Sequence, residues 1–106
     1  MSWNQIEMSV IRWSEERGII PNSTSIAQYR KAQEEMHELH TALINRNRPE
    51  IIDGLGDVLV CLINVAALEN VDLTHCLQTA YNEIKDRKGH MNAGGIFVKE
   101  PQLPVL

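Results

Sequence analysis

One stretch, residues 50–64, constrains this chain more than any other part, because it is the most apolar segment and yet carries acids. If it is helical, with about 100° of rotation per residue, its polar side chains fall within about 60° of one another; they are Glu50, Asp53, Asp57 and Asn64. Apolar residues occupy most of the remaining circumference, which is typical of a buried helix. A buried carboxylate is tolerated when it is paired or binds a metal. The stretch therefore predicts a central helix whose acidic stripe faces something cationic.

The composition limits the class of protein. The 106 residues suit one domain, and 43% apolar and 23% charged residues are ordinary for a soluble globular protein. The formal net charge is −4 with Lys and Arg spread along the chain, so we expect no basic face for nucleic acid. Cys61 and Cys76 lie in apolar helical patterns, where we expect them to pack as small hydrophobes without a disulfide, in a reducing setting. We expect no signal peptide, and Asp53 and Asp57 leave too short an apolar stretch to span a bilayer.

Apolar side chains spaced by three and four residues predict a first helix near the N-terminus. Ser2 can cap its start and Gly18 suits its C-terminal end. Trp3 and Trp13 lie on its apolar face, where we expect them to contact the core or another subunit rather than to stack on a base, although one residue could do both. A loop over residues 21–24 follows.

The second predicted helix begins at a capping box formed by Ser25 and Gln28. We expect it to pack through one apolar face, which comprises Ile26, Tyr29, Ala32, Met36, Leu39 and Leu43. Glu34, Glu35 and Glu38 cluster within about 100° of arc, away from the centre of that face. Taken alone, three such glutamates most often form a solvated helix surface.

The third predicted helix contains the acidic stripe and continues to about residue 69. Pro49 fits its first turn, where no intrahelical N–H is needed. Gly54 and Gly56 each cost a helix about 1 kcal/mol relative to alanine. We therefore expect these glycines to permit close helix contact or ligand approach.

The fourth predicted helix begins at an Asp72 cap and ends in the basic turn of residues 85–88, with Gly89 at its C-cap. The helical core thus covers about residues 3–89 of a single predicted domain. The C-terminal arm, residues 90–106, is expected to be ordered and to lie on the body of the protein or on a neighbouring subunit.

The two acidic clusters can converge if the second and third helices are antiparallel. Hard oxygen ligands of this number suit Mg²⁺ or Mn²⁺, with water and phosphate oxygens completing the shell. Lys85, Arg87 and Lys88 can clamp a polyphosphate, but cations also simply favour a helix C-terminus. Asn82 can bind a sugar or phosphate, or be an exposed helical residue. Both interpretations of the basic segment stay open on the residues alone.

Two motifs in this arrangement resemble the MazG-like, all-α nucleoside triphosphate pyrophosphohydrolases, over roughly residues 29–88. The EExxE element of that family reads EEMHE at residues 34–38, and its ExxD-type element reads DGLGD at residues 53–57. Residues 82–89 are similar to the Asn/Lys/Arg segment that binds phosphate in the family. The continuation toward residue 100 resembles the small phage-type branch.

This chain departs from the family pattern at one position. Gly54 stands where the family has a glutamate. Asp53, one turn before Asp57, is the expected replacement, and Glu50 is the second candidate.

The resemblance implies a fold, an activity and an assembly. The fold is an all-α, four-helix domain that assembles as a homodimer or homotetramer. The activity is hydrolysis of a nucleoside triphosphate, preferably a deoxynucleotide, between the α and β phosphates, with Mg²⁺ or Mn²⁺ and more than one ion per site. The implied location is the cytoplasm of a bacterium or a phage-infected host, with no nucleic-acid or membrane partner.

The resemblance also implies the site residues. The implied metal ligands are Glu34, Glu35, Glu38, Asp53 and Asp57. The implied catalytic set is Glu34, Glu35, Glu38 and Asp57, in which Glu34 binds a further ion or acts as base toward the attacking water. The implied substrate-binding residues are Asn82, Lys85, Arg87 and Lys88.

Two other classes of protein stay open. One is a non-catalytic helical oligomer whose carboxylates only pair with basic groups. The other is a di-iron carboxylate bundle, for which Glu34-x-x-His37 would be one ligand pair. That architecture needs a second copy, and Asp72-x-x-His75 is a poor one. We expect His37 and His40 to be surface residues.

Overall fold

The computed structural model describes residues 1–101, and over that range the chain forms five helices and one short hairpin. The helices are α1 (Trp3–Glu16), α2 (Ile19–Asn22), α3 (Ser25–Ile44), α4 (Arg48–Leu68) and α5 (Leu73–Ile84). The strands β1 (Gly89–Met91) and β2 (Phe97–Lys99) pair antiparallel. One compact unit spans Met1–Cys76, and a second begins at Leu77. The predicted all-α class is confirmed, with one helix more than the four expected; residues 102–106 of the predicted arm lie outside the described residues.

Helix α1 begins at the predicted cap. The Ser2 Oγ accepts a hydrogen bond from the Gln5 backbone N–H at 3.2 Å, and the Gln5 side chain accepts one from the Ser2 N–H at 2.8 Å. Gly18 follows the helix with a φ of 80°, which costs glycine no Cβ clash. Trp3 and Trp13 are 39% and 45% exposed, so neither belongs to the core of the single chain. Contact with another subunit stays a prediction for both.

The predicted loop over residues 21–24 is partly helical. Pro21 is the third residue of α2, where its missing N–H is one that a helix start leaves unpaired in any case. The Asn22 Nδ2 donates to the Gly18 carbonyl at 2.8 Å, and the Ser23 N–H donates to the Ile19 carbonyl at 2.8 Å. These local bonds close one helical turn that hydrophobic spacing does not reveal.

Thr24, not Ser25, caps α3. The Thr24 Oγ1 accepts from the Ala27 N–H at 3.1 Å, which makes Ser25 the first helical residue. The Ser25 hydroxyl instead donates to Glu69 Oε2 at 2.5 Å and so joins the start of α3 to the end of α4. The predicted capping box is therefore wrong, because the Gln28 Oε1 accepts from Asn64 on α4 and not from a backbone N–H at the helix start.

The face of α3 that packs against α4 carries small residues and one acid. Ala32, Leu39, Ala42 and Glu35 are buried there. Most of the larger members of the predicted apolar face are more than half exposed, namely Ile26, Tyr29, Met36 and Leu43. That part of the prediction is wrong because it follows the largest apolar side chains, whereas close approach of two helices selects the smallest.

Helix α4 starts and packs as its sequence predicts. The Asn47 Oδ1 accepts from the Glu50 N–H at 3.3 Å, and Pro49 lies in the first turn. Gly54 is buried, and a Cβ at this position would lie 3.3 Å from the Cα, Cβ and Cδ1 of Leu39. The predicted close helix contact is therefore confirmed at Gly54 but not at Gly56, where an added Cβ would meet no atom within 4 Å.

Helix α4 is also long and apolar enough, with a mean hydropathy of 2.0, to cross a membrane by length and composition. The limit predicted from Asp53 and Asp57 thus does not hold for the helix as a whole. In this chain α4 is the helix on which α1, α2 and α3 pack, and the core helix of a soluble protein meets the same criteria. It also carries exposed Ile52, Leu55 and Leu59, so burial nearly all round is wrong for the single chain.

Helix α5 begins at the predicted cap, since the Asp72 Oδ1 accepts from the His75 N–H at 2.6 Å. A second tie comes from α1: the carboxylate of Glu7, which is 3% exposed, accepts from the Thr74 N–H at 3.2 Å and the Thr74 hydroxyl at 3.3 Å. The apolar side chains that follow in α5 are exposed in the single chain, including Leu77. The apolar side of this helix is therefore not buried within the single chain.

The second unit contains the end of α5 and the hairpin. Gly89 is the first residue of β1 rather than a helix C-cap, and a Cβ there would collide with the Val98 carbonyl and the Phe97 ring. The Asn92 Oδ1 accepts from the N–H groups of Gly94 and Ile96, both at 3.0 Å, and so closes the turn. The sequence predicts an ordered arm here, and its first half is this hairpin.

Candidate active site

Two contacts set the register between α3 and α4. Leu39 packs on Gly54, and Gln28 bonds to Asn64. The contact moves toward the start of α3 as it moves toward the end of α4, so the two helices are antiparallel. The convergence of their acids requires this arrangement. The glutamates of α3 and the aspartates of α4 lie at and between these two contacts.

A cleft of about 350 Å³ lies between the two helices beside Gly54, and we call it the acidic cleft. It is lined by His37, Glu38, Thr41, Glu50, Asp53, Gly54 and Asp57. Three of the predicted metal ligands, Glu38, Asp53 and Asp57, are therefore brought together. His37 and His40 are exposed, as predicted, and His37 lies at the wall of this cleft.

The packing at Gly54 explains why no acid stands at this position. A Cβ there would lie 3.3 Å from the Cα and Cβ of Leu39, so the two helices would have to shift by a few tenths of an ångström to admit it. Asp53 and Glu50 both line the cleft, but Asp53 is the one among the charges that raise the pKa of Asp57. Asp53 is thus the better placed of the two candidates for the missing acid.

Glu35 is the buried acid of the site, with 9% of its surface exposed. Its Oε1 lies 3.5 Å from the Lys31 Nζ, whereas its Oε2 has no hydrogen-bond partner within residues 1–101. Glu34 is exposed and its Oε2 lies 3.3 Å from the same Nζ. The hydrogen bond to Glu34 and the charges of both glutamates raise the pKa of Lys31. A buried carboxylate oxygen without a partner is costly unless a cation or donor arrives.

Asp57 is half-buried, and its surroundings disfavour the ionised carboxylate. Burial raises the pKa of its carboxyl above the ordinary aspartate value, and the negative charges of Asp53 and Glu35 raise that pKa further. The positive charge of Lys31 lowers the pKa of Asp57. The acids of the two helices are therefore close enough to repel, and Lys31 compensates only in part.

A second cleft of about 500 Å³ opens on the other side of Asp57, and we call it the amide cleft. It is lined by Trp13, Ile19, Ala27, Gln28, Lys31, Glu35, Asp57, Val60, Cys61 and Asn64. Asp57 belongs to both clefts, and Glu35 lines the second. Glu34 is in neither set of lining residues.

The chemistry of the acids fits a hard divalent cation, because every predicted ligand offers carboxylate oxygens. The unpaired Oε2 of buried Glu35 is an atom that such a cation would satisfy. As placed, no three His, Cys, Asp or Glu side chains of residues 1–101 converge closely enough to hold one ion. The exposed carboxylates of Glu34, Glu38 and Asp53 would have to turn toward it.

The predicted phosphate-binding residues, Asn82, Lys85, Arg87 and Lys88, belong to the second unit and are exposed. Arg87 and Lys88 line a separate cleft of about 540 Å³ together with acidic Glu83, Asp86 and Glu100. Their part in the active site stays a prediction.

Lys31 is missing from the predicted site residues, and the prediction for the two cysteines is right for only one of them. Lys31 could have been found, because its spacing of three and four residues from Glu34 and Glu35 is the helix ion-pair spacing. Cys61 is buried, and burial is the main cause that raises the pKa of its thiol, so it packs as a small apolar residue as predicted. Cys76 is exposed, and the same prediction is wrong there.

The comparison with known families decides what this site belongs to. The model of the phosphoribosyl-ATP pyrophosphohydrolase family matches residues 19–83, which include the whole of α3 and α4. The chain belongs to this family. The matched range contains both acidic motifs, so the site lies inside the family domain.

The chain is MazG-like in fold. It superposes on a cyanophage S-2L MazG-like pyrophosphohydrolase, solved with dGDP and three catalytic Mn²⁺ ions per active site, with a TM-score of 0.71 over 97% of each chain and 18% identity. A phage relative supports the phage-type branch: an uncharacterized 18.2 kDa protein from the rep-hol intergenic region of Haemophilus phage HP1 is 30% identical over 69 residues. That match covers 64% of this chain but 42% of the phage protein.

Proposed function

We propose that this protein hydrolyses nucleoside triphosphates at the α–β phosphate bond in a reaction that depends on divalent metal ions. Water is added across that bond, and the products are the nucleoside monophosphate and pyrophosphate. The observation that carries the proposal is buried Glu35, which has an unpaired carboxylate oxygen and lies close enough to half-buried Asp57 to raise its pKa. A structural role alone does not require two such acids to face each other without a full complement of positive charge.

The proposed metal ligands are Glu34, Glu35, Glu38, Asp53 and Asp57. Bound Mg²⁺ or Mn²⁺ would neutralise phosphate charge and lower the pKa of a bound water. The three Mn²⁺ ions in the cyanophage protein support more than one ion per site. On this chain, the Lys31 Nζ lies 3.3 Å from Glu34 Oε2 and 3.5 Å from Glu35 Oε1, so it would compete with an ion for those two oxygens, whereas Glu35 Oε2 stays available.

The other roles follow from charge and exposure. Glu34 is exposed and can accept a proton from the attacking water or bind a further ion. Lys85, Arg87 and Lys88 would hold the phosphates, with Asn82 on the sugar or phosphate. The dGDP in the cyanophage protein supports a deoxynucleotide as substrate here.

A pyrophosphate-release assay tests the activity. The panel contains the four dNTPs, the four NTPs and phosphoribosyl-ATP, each with Mg²⁺, with Mn²⁺ and with EDTA. We expect metal-dependent release from at least one deoxynucleotide. No release from any compound in the panel would refute the enzyme.

Asp57→Asn is the sharpest variant for the same assay, because it keeps the shape of the side chain and removes its charge. We expect it to abolish turnover while the circular dichroism spectrum stays unchanged. Glu15→Gln, which removes one exposed charge from α1, is the matched control and should retain full activity. Unchanged turnover in Asp57→Asn would remove this residue from the mechanism.

We further propose that the protein is a homodimer or homotetramer in the cytoplasm of a bacterium or phage-infected cell. Exposed apolar side chains on α3 and α4 support an assembly, among them Met36, Leu43, Ile52 and Leu55. So many exposed large apolar side chains on two neighbouring helices favour burial between subunits. Sedimentation equilibrium should give two or four times the mass of the 12.0 kDa chain, and a monomer would contradict the proposal.

A further inference from the structure

The floor of the amide cleft holds two side-chain amides in fixed orientations, and the carboxylate chemistry uses neither of them. The Ser14 hydroxyl donates to Asn64 Oδ1 at 2.5 Å, and the Asn64 Nδ2 donates to Gln28 Oε1 at 3.2 Å. The Gln28 Nε2 donates onward to the Ser23 hydroxyl at 3.1 Å. Ser14 and Asn64 are 0% and 2% exposed, so this relay joins α1, α3 and α4 from inside the protein.

The relay leaves polar capacity on two residues that line the cleft. A carboxamide has two N–H donors and two acceptor lone pairs. Within the described residues, the amides of Gln28 and Asn64 each donate one hydrogen bond through nitrogen and accept one through oxygen. Each amide therefore keeps one N–H and one lone pair. Since both orientations are fixed, the floor presents donors and acceptors at set positions.

The walls of the amide cleft are apolar and include an aromatic ring. Ile19, Val60 and the Trp13 indole line it, and the Trp13 ring is 45% exposed. The Arg17 guanidinium lies 5.9 Å from the centroid of that ring. Apolar walls around a few placed polar groups are the usual form of a small-molecule site. A flat ring with a polar edge, such as a nucleobase, fits this combination.

The amide cleft adjoins the proposed metal ligands. Glu35 and Asp57 line the same cleft, so a ring bound at Asn64 lies on the same α3–α4 surface as the proposed metal ligands. We infer that the amide cleft binds the base of the nucleotide, with Trp13 against its face and with Gln28 and Asn64 reading its edge. This inference rests on the proposed function for the identity of the ligand.

Tryptophan fluorescence tests the cleft without turnover. The chain has two tryptophans, so Trp3→Phe leaves Trp13 as the single fluorophore. We expect saturable quenching by at least one of dAMP, dGMP, dCMP and dTMP, and none by base-free 2-deoxyribose 5-phosphate. The matched variant Trp13→Phe, which retains Trp3, should show no quenching. Absence of quenching by all four nucleotides, or equal quenching by the base-free sugar phosphate, would overturn the inference.

Substrate selectivity tests the amides. Gln28→Glu keeps the acceptor that Asn64 needs but replaces the Nε2 donor with an acceptor. We expect the ratios of kcat/KM among the four dNTPs to change by about tenfold or more, because a site that hydrogen-bonds its ligand discriminates strongly. Gln33→Glu adds the same charge to an exposed position of the same helix and should leave those ratios unchanged. If both variants alter all four substrates by one common factor, Gln28 does not read the base.

The two proposals can fail separately. A protein that releases no pyrophosphate but shows base-dependent quenching of Trp13 supports the cleft and refutes the enzyme. A protein that hydrolyses dNTPs with selectivity untouched by Gln28→Glu and Trp13→Phe supports the enzyme and overturns the cleft.

Discussion

Replacing Gly54 and Gly56 separately with alanine tests whether α3 and α4 lie at contact distance because one methyl group is missing. Both glycines are inside α4, so each substitution improves helix propensity by about 1 kcal/mol. They differ in what the new methyl would meet. At Gly56 it meets no atom within 4 Å, whereas at Gly54 it lies 3.3 Å from three atoms of Leu39.

The expected difference can be worked out from these contacts. Optimal carbon–carbon separations are about 3.5–4.0 Å. Two of the three Leu39 atoms, Cα and Cβ, cannot rotate away, so Gly54→Ala overpacks the helix interface at a cost of about 1–3 kcal/mol. This cost equals or exceeds the gain in propensity. We expect Gly56→Ala to raise the free energy of unfolding by about 1 kcal/mol and Gly54→Ala to lower it or leave it unchanged.

Urea unfolding followed by circular dichroism measures both variants, and it should be repeated at two protein concentrations to separate folding from association. A gap of about 1 kcal/mol corresponds to about 4 °C or more in Tm for a domain of this size. Mn²⁺ titration should show weaker binding in Gly54→Ala and unchanged binding in Gly56→Ala, because only the first moves the acids of α3 away from those of α4. Equal stabilisation by both substitutions would refute the packing argument.

Three further predictions concern charge. The pKa of Asp57 is raised in the folded state, so its ionised carboxyl opposes folding and the protein loses stability as the pH rises through that pKa. Asp57→Asn should therefore unfold at a higher urea concentration than the wild type at pH 7, and this difference should vanish below the ordinary aspartate pKa. A difference in stability that does not depend on pH would contradict this. Mn²⁺ should raise the Tm of the wild type in differential scanning fluorimetry but not that of Asp57→Asn or Glu35→Gln, and an equal rise in all three would exclude these ligands. Glu7→Ala should lower the free energy of unfolding by about 1–2 kcal/mol in urea, because it removes the acceptor of the Thr74 N–H at the start of α5, and Glu7→Gln should lose less.

Three of the helix starts and the key acids could be predicted because they depend on near neighbours in sequence. Ser2, Pro49 and Asp72 act within three residues of the helix starts that they mark. Asp57 is conspicuous for a similar reason, since it stands two turns inside an apolar helix where capping cannot explain it. The motif resemblance then supplies its partners on α3.

Buried faces and the amide relay could not be predicted, because they depend on distances between helices. Ala32 is buried and Met36 is exposed because Gly54 lets α4 approach α3 closely. The hydrogen bond between Ser14 and Asn64 joins residues 50 positions apart, and no local pattern indicates it. Burial of the middle glutamate of the acidic cluster, Glu35, has the same origin.

Asp57 faces both clefts, whereas Glu50 and Asp53 face only the acidic cleft and Gln28 and Trp13 only the amide cleft. This division separates the positions that selection can vary from the one that it must keep. Substitutions at Gln28 or Trp13 can redirect a descendant toward another ligand without touching the acids. A change at Asp57 alters both surfaces at once, so relatives with different preferences should differ around this residue and retain the aspartate itself.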